Sequence, residues 1–181
     1  MQLTGGQFKG RKINTPKGVR PTLSIVRESV FNILYSHFGT FGDMNFLDMF
    51  LGSGIMTFEA LSRGFKTISC EINPQVIKCA NENAQELNLC PKLLRGDSLK
   101  LVKKINEKFN VVYADPPWDY SYLQIFQTAS ELLLQDGILI AECDKKKKPD
   151  VLFELGKVNT LELFREKNYG RCCLLFVKLN R

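Results

Sequence analysis

Val111-Val112-Tyr113-Ala114-Asp115-Pro116-Pro117-Trp118 is the stretch that decides the fold. Its first half is a short, branched apolar run cut off at once by two prolines, the mark of a buried parallel strand. Asp115 then stands at the strand's carboxyl end, where open α/β sheets place their chemistry. Pro116 and Pro117 fix φ and remove two N–H donors, so the loop is stiff and offers carbonyls. Trp118, the only tryptophan, adds a flat face. A carboxylate, a rigid carbonyl and an aromatic plane together suit a planar group that bears an NH₂. The rival reading is a strand followed by a proline turn, with Trp118 capping the core, and the tetrapeptide Asp115-Pro116-Pro117-Trp118 alone leaves the two even.

Upstream of this strand the pattern alternates. FLDMF (Phe46 to Phe50) reads as a strand, followed by a helix through Ser62 and a second strand, KTISC (Lys66 to Cys70). Pro74 to Leu87 forms the next helix, with Asn73 as its cap and proline at the first helical position. Lys92–Arg95 is a third strand, and Leu99, Val102 and Ile105 mark a helix after it. Downstream, Leu123 to Leu134 supplies another helix, which Gly137 breaks before a fifth strand, Ile138–Glu142. Strands alternating with helices predict a doubly wound parallel sheet. The ending differs: Leu161–Lys167 and Arg171–Lys178 are separated only by Asn168-Tyr169-Gly170, which can join only antiparallel neighbours.

Residues 1–20 are rich in glycine and basic residues. Gly5-Gly6 between short alternating flanks predicts a hairpin or β-loop. Lys9, Arg11, Lys12, Lys17 and Arg20 give it a positive face, set against the plain alternative of a solvated tail. Arg20-Pro21-Thr22 opens a helix to about His37, with Thr22 or Ser24 placed to cap it.

The 181 residues suit one domain with a single substantial core. Apolar residues make up 44% and charged residues 24%, which is ordinary for a globular protein. No run reaches the length of a membrane span and no signal peptide is evident, so a cytoplasmic protein is expected. Six cysteines show no CxxC pair, which argues against a zinc site. The lone histidine, His37, lies near a helix end and reads as a surface residue, which sets catalytic triads aside. The excess of 25 Lys+Arg over 19 Asp+Glu fits a polyanionic partner.

Each strand end carries a group suited to a nucleoside cofactor. Asp48 follows the first strand, then the loop Phe50-Leu51-Gly52-Ser53-Gly54, whose glycines admit a close backbone approach. Thr57 stands where a dinucleotide fingerprint has its third glycine, which counts against NAD. Glu71 ends the second strand, about where an acid accepts ribose hydroxyls. Gly96-Asp97-Ser98 follows the third and is placed to receive an adenine amino group, although Asp97 is equally suited to cap a helix. The acids favour a cofactor with a sulfonium and an ammonium over one with phosphates.

The chain as a whole resembles the bacterial RsmD-type methyltransferases. The likeness rests on Gly5-Gly6 with Gly10-Arg11-Lys12, the block RPTLSIVRESVFN (Arg20 to Asn32), LDMFLGSG, FEALSRG (Phe58 to Gly64), DPPW and the closing Tyr-Gly hairpin. This chain has Leu23-Ser24-Ile25 where the family usually has Thr-Asp-Arg, larger residues at Leu51 and Thr57, and Trp118 in place of another aromatic. The resemblance implies a Rossmann-like class I fold, α/β, with a mainly parallel seven-stranded sheet closing in an antiparallel hairpin and a short N-terminal β/helix extension. It divides the chain into an RNA-contacting extension, 1–40, and a catalytic domain, 41–181.

It further implies methyl transfer from S-adenosylmethionine to the N2 amino group of a guanine in 16S ribosomal RNA, within the small subunit, by a monomer that needs no metal. The catalytic residues would be Asp115, Pro116, Pro117 and Trp118. The cofactor would be held by Thr22, Asp48, Phe50, Gly52, Ser53, Gly54, Glu71, Ile72, Asp97 and Ser98, and RNA by Lys9, Arg11, Lys12 and Arg20. The run Lys145 to Lys148 would extend that grip or form a solvated loop. A DNA adenine-N6 or cytosine-N4 methyltransferase and a non-catalytic RNA-binding assembly factor are the alternative readings.

Overall fold

The structure is a computed structural model and describes residues 1–20, 22–117 and 120–180. Among these, seven strands form one sheet: β1 (Asn45–Asp48), β2 (Lys66–Glu71), β3 (Lys92–Arg95), β4 (Phe109–Ala114), β5 (Leu133–Asp144), β6 (Leu161–Tyr169) and β7 (Cys172–Leu179). Their order is β3-β2-β1-β4-β5-β7-β6. β7 alone runs against its neighbours, pairing antiparallel with both β5 and β6. The expected parallel sheet with a closing hairpin is therefore present.

Strand alternation sorts the core into two layers. Phe46, Val111, Tyr113, Ile138 and Ile140 face one layer, under helices α1 (Ser24–Phe38), α2 (Ile55–Ser62) and α3 (Pro74–Leu87). Leu47, Val112, Ala114, Leu139 and Ala141 face the other, under α4 (Ser98–Val102), α5 (Tyr122–Leu132) and α6 (Lys148–Leu155). A sheet covered on both faces explains why β4 reads as a continuous apolar run.

Several local expectations need correction. Neither Thr22 nor Ser24 caps α1: Leu23 holds the cap position without a side-chain bond. Arg27 instead donates to the Thr22 carbonyl at 2.6 Å, which ties the incoming chain to the helix. α5 stops at Leu132 and β5 begins at Leu133, so Gly137 lies inside a strand. A Cβ there would sit 2.9 Å from both the Leu134 and Phe109 carbonyls, so glycine serves close strand packing. α4 ends at Val102, short of Ile105, and the lysine run leads into α6, which its charged start concealed. Asn73 does cap α3, accepting from Gln75 N at 2.9 Å ahead of Pro74.

The N-terminal residues are docked. Gln2 and Lys12 form an antiparallel bridge, Leu3 N donates to the Arg11 carbonyl at 2.9 Å, and Leu3 and Ile13 are buried. Gly6 adopts φ +75°, and a Cβ on it would lie 1.9 Å from the Ser62 carbonyl. Beneath this loop the fully buried Glu59 of α2 gathers Arg27, Arg63 and Thr4.

Candidate active site

Between β1 and β4 the winding of the sheet reverses, and a crevice opens there at the carboxyl ends of the strands. It holds a cavity of about 420 Å³, within the range of small-molecule sites. β1 delivers Asp48 to its floor. Asp48 is 1% exposed, with Oδ2 accepting from Thr57 Oγ1 at 2.8 Å and Oδ1 from Phe50 N at 3.3 Å. Burial pushes its carboxyl up to about 6, helped by the Glu71 charge and opposed by the hydrogen bonds from Thr57 and Phe50. Thr57, the residue that breaks the dinucleotide pattern, thus orients the floor carboxylate, and its hydroxyl also meets Ser69 Oγ at 2.7 Å.

The loop after β1 turns through Gly52 at φ +51° and Gly54 at φ +77°, a region that glycine enters without strain. Gly52 N donates to Glu71 Oε2 at 3.1 Å, while Asn73 N donates to Glu71 Oε1 at 2.8 Å. Glu71 therefore joins the loop to the start of α3, and each oxygen keeps a lone pair for a ligand. Ile72, exposed by 66% beside it, presents an apolar surface on the cavity wall.

Ser98 is nearly buried and lines the cavity, yet its Oγ has no hydrogen-bond partner; the Cys70 thiol lies beside it without a well-formed bond. Asp97 is differently employed. Its Oδ1 caps α4 through Lys100 N at 3.0 Å, its Oδ2 accepts from Tyr120 OH at 3.2 Å, and it does not line the cavity. Tyr120 was not among the sequence candidates. Its ring meets Phe50 edge-on with centroids 4.9 Å apart, and the pair closes one side of the cavity.

Asp115, Pro116 and Pro117 stand at the mouth. No hydrogen bond or ion pair reaches the Asp115 carboxyl among the described residues. It keeps contact with solvent, but the cavity walls crowd it, and this desolvation raises its pKa above the ordinary carboxylate range. The Glu142 carboxylate adds to the rise and Arg20 opposes it. Trp118 lies outside the described residues.

Of the other sequence candidates, Thr22, Phe50, Gly52, Ser53 and Arg20 line the cavity, and Gly54 sits behind it as the cap of α2. Arg20 therefore stands at the mouth near Asp115, whereas Lys9, Arg11 and Lys12 are exposed on the N-terminal loop and take no part in the lining. Within the lysine run, Lys148 pairs with Glu166 at 2.9 Å, so the run is partly spent inside the fold.

The whole of this frame has counterparts. Residues 1–178 match the family model described as Conserved hypothetical protein 95. The chain belongs to this family. "Ribosomal RNA small subunit methyltransferase D" of Haemophilus influenzae is 31% identical over 94% of the chain and 89% of that protein. Among solved structures, the Escherichia coli "Putative methyltransferase yhhF" superposes with a TM-score of 0.83 at 26% identity, covering 99% of this chain and 97% of that one. A ribosomal protein L11 methylase from Lactobacillus delbrueckii shares the fold, with a TM-score of 0.77 at 18% identity over 96% of this chain and 88% of the other. The family is RsmD-type, and its fold is that of the class I methyltransferases.

Proposed function

We propose that this protein methylates the N2 amino group of a guanine in 16S ribosomal RNA, with S-adenosylmethionine as donor. The observation that carries the reading is Asp115: a carboxylate unpaired among the described residues, beside two prolines, at the mouth of a cavity floored by Asp48 and Glu71. The cavity suits the donor. Asp48 and Glu71 supply negative charge for its cationic groups, the Glu71 oxygens suit its ribose, and Ser98 Oγ lacks a partner that a ligand would provide. Apolar Ile72 and the Phe50–Tyr120 pair suit a flat ring.

When bound, the donor supplies an electrophilic methyl group on a sulfonium and leaves as a neutral thioether. The chain's own task is the acceptor nitrogen, whose lone pair is delocalised into the guanine ring. Asp115 and the Pro116 carbonyl accept its two N–H bonds, which favours the pyramidal nitrogen of the transition state. Trp118 supplies the stacking plane, and holding the base in line does much of the remainder. The base must be unpaired or extruded to enter.

Lys9, Arg11, Lys12 and Arg20 are assigned to RNA phosphate, the first three on the docked loop and Arg20 at the mouth. Residues 1–40 then serve as the RNA-contacting extension of a catalytic domain formed by 41–181. A monomer working on the small subunit in the cytoplasm fits these assignments. The test is methyl transfer from labelled S-adenosylmethionine to small subunits from a strain lacking this protein, with mass mapping of the product. Label on guanine N2 supports the reading; label on another base or on DNA, or none, overturns it.

A further inference from the structure

Asp115 follows the last residue of β4, and Glu142 lies two residues from the end of its parallel neighbour β5. β4 and β5 pair Tyr113 with Ile140 and Ala114 with Ala141, so Asp115 and Glu142 come next along the two strands. Alternation places Asp115 and Glu142 on the sheet face that carries Tyr113, Ile140 and Cys172. A small cavity of about 60 Å³ lies between them, sharing Arg20, Asp115 and both prolines with the larger one.

Glu142 is 8% exposed and has no ion-pair partner among the described residues. Its oxygens are instead held by two donors: Tyr113 OH to Oε2 at 2.6 Å and Cys172 Sγ to Oε1 at 3.2 Å. Each of its two oxygens thus accepts from a neutral donor. Burial, and after it the Glu142 and Asp115 charges, raise the Tyr113 phenol, so it remains a donor. A carboxylate fixed by two neutral donors, beside the proposed catalytic loop and in no ion pair among the described residues, needs a function.

We propose that Glu142 is a positioning residue that holds a fixed negative charge against Asp115 and so makes Asp115 the proton acceptor of the transfer. This rests on the methyl-transfer reading above. Methylation leaves the acceptor nitrogen cationic, with one proton too many. That proton passes to the Asp115 carboxylate, its N–H electron pair returns to nitrogen, and a neutral methylamine and a neutral carboxylic acid result. The cationic nitrogen is acidic enough for a carboxylate to take this proton, and a neighbouring like charge makes Asp115 the stronger acceptor.

The other groups facing Asp115 do not replace Glu142. Asp48, at the end of β1, adds negative charge, while Arg20 opposes it. Tyr122 of α5 and Cys172 of β7 also line the small cavity, and burial raises both above their ordinary ranges, so they stay neutral. Cys143, whose thiol burial also raises, joins Asp144, Lys147 and Arg171 to complete its lining, with Asp144 paired to Arg171 at 3.0 Å.

The test is Glu142→Gln, which keeps the shape and removes the charge. The acid limb of its pH–rate profile on small subunits should move down by about one pH unit. The plateau rate should fall about tenfold, since Asp115 becomes a weaker base. Glu142→Asp, which restores the charge, should bring the limb back towards wild type. An acid limb that stays in place in folded Glu142→Gln protein overturns the proposal, as does a limb that Glu142→Asp shifts equally far. Carbon-13 NMR titration of Asp115 in the wild-type protein needs no variant: a carboxyl titrating near ~4 also overturns it. Wild-type protein that methylates no RNA defeats the methyl-transfer reading itself, whereas an unmoved Asp115 titration defeats only the role of Glu142.

Discussion

Arg27 of α1 donates from Nε to Oε1 of Glu59 in α2 at 3.0 Å, with 6% of the Arg27 side chain and none of Glu59 exposed. Arg63 pairs with the other Glu59 oxygen, and Thr4 donates to Oε1 from both its N and its Oγ1 at 2.9 Å. One buried carboxylate thus joins two helices to the N-terminal loop. Glu59→Ala should cost about 3–5 kcal/mol in urea unfolding, because it leaves two largely buried guanidinium groups without their carboxylate. Trypsin should also cut faster at Lys9, Arg11 and Lys12. A cost under about 1 kcal/mol would show that the helices hold without the clasp.

Asp48 gives a pH dependence of stability. Its folded pKa, about 6, is raised above the unfolded value, so its favourable contribution is fully present below about 4 and is lost as pH rises through 6. Keeping it ionised at neutral pH costs on the order of 3 kcal/mol. Asp48→Asn should therefore raise the melting temperature at pH 7.5, have little effect at pH 4, and weaken binding of S-adenosylmethionine. Equal shifts at both pH values would refute this account.

Ser98→Ala separates ligand binding from folding. Its hydroxyl has no partner to lose, so thermal stability should hold or rise slightly. Affinity for S-adenosylmethionine, measured by calorimetry, should fall by about 0.5–1.5 kcal/mol if the donor supplies the missing hydrogen bond. Unchanged affinity would remove Ser98 from the binding set.

Neutralising Lys9, Arg11 and Lys12 together should weaken RNA binding and flatten its slope against log salt by about two to three. Cofactor affinity should stay constant, since none of the three lines the cavity. A wild-type salt slope would take the loop out of the RNA interface.

Asp115→Ala should fold and bind the donor, because no hydrogen bond or ion pair reaches Asp115 among the described residues, while single-turnover methylation falls by orders of magnitude. Near-normal rates on assembled small subunits would reduce Asp115 to a turn residue.

Much of this was legible because it is local. The apolar run before Asp115 could only be a strand covered on both faces, and the short connection at Asn168-Tyr169-Gly170 left only an antiparallel pair. The Asn73-Pro74 helix start worked for the same reason. Non-local partners were not legible. Glu59 and Arg63 are four apart on a helix and hint at a pair, but nothing near them points to Arg27 or Thr4. Asp97 could serve a ligand or a helix, and only Lys100 N and Tyr120 OH show that its oxygens are engaged. Thr57 looked like a missing glycine until Asp48 was seen against it. α6 stayed hidden because the run Lys145 to Lys148 resembles a solvated loop, whereas Lys148 has a partner in β6.

β7, the last strand in chain order, does not sit at the edge of the sheet; it enters between β5 and β6. While the chain is being made, β5 therefore remains an open edge until residues 172–179 emerge from the ribosome, and open edges invite mispairing. The walls formed by β1 to β4 can assemble earlier, but Glu142 gains its Cys172 contact only when that strand is inserted. A chain lacking residues 172–179 would then carry the larger cavity beside an unfinished smaller one. Insertion of β7 therefore completes the surroundings of Glu142 only after β1 to β6 have been laid down.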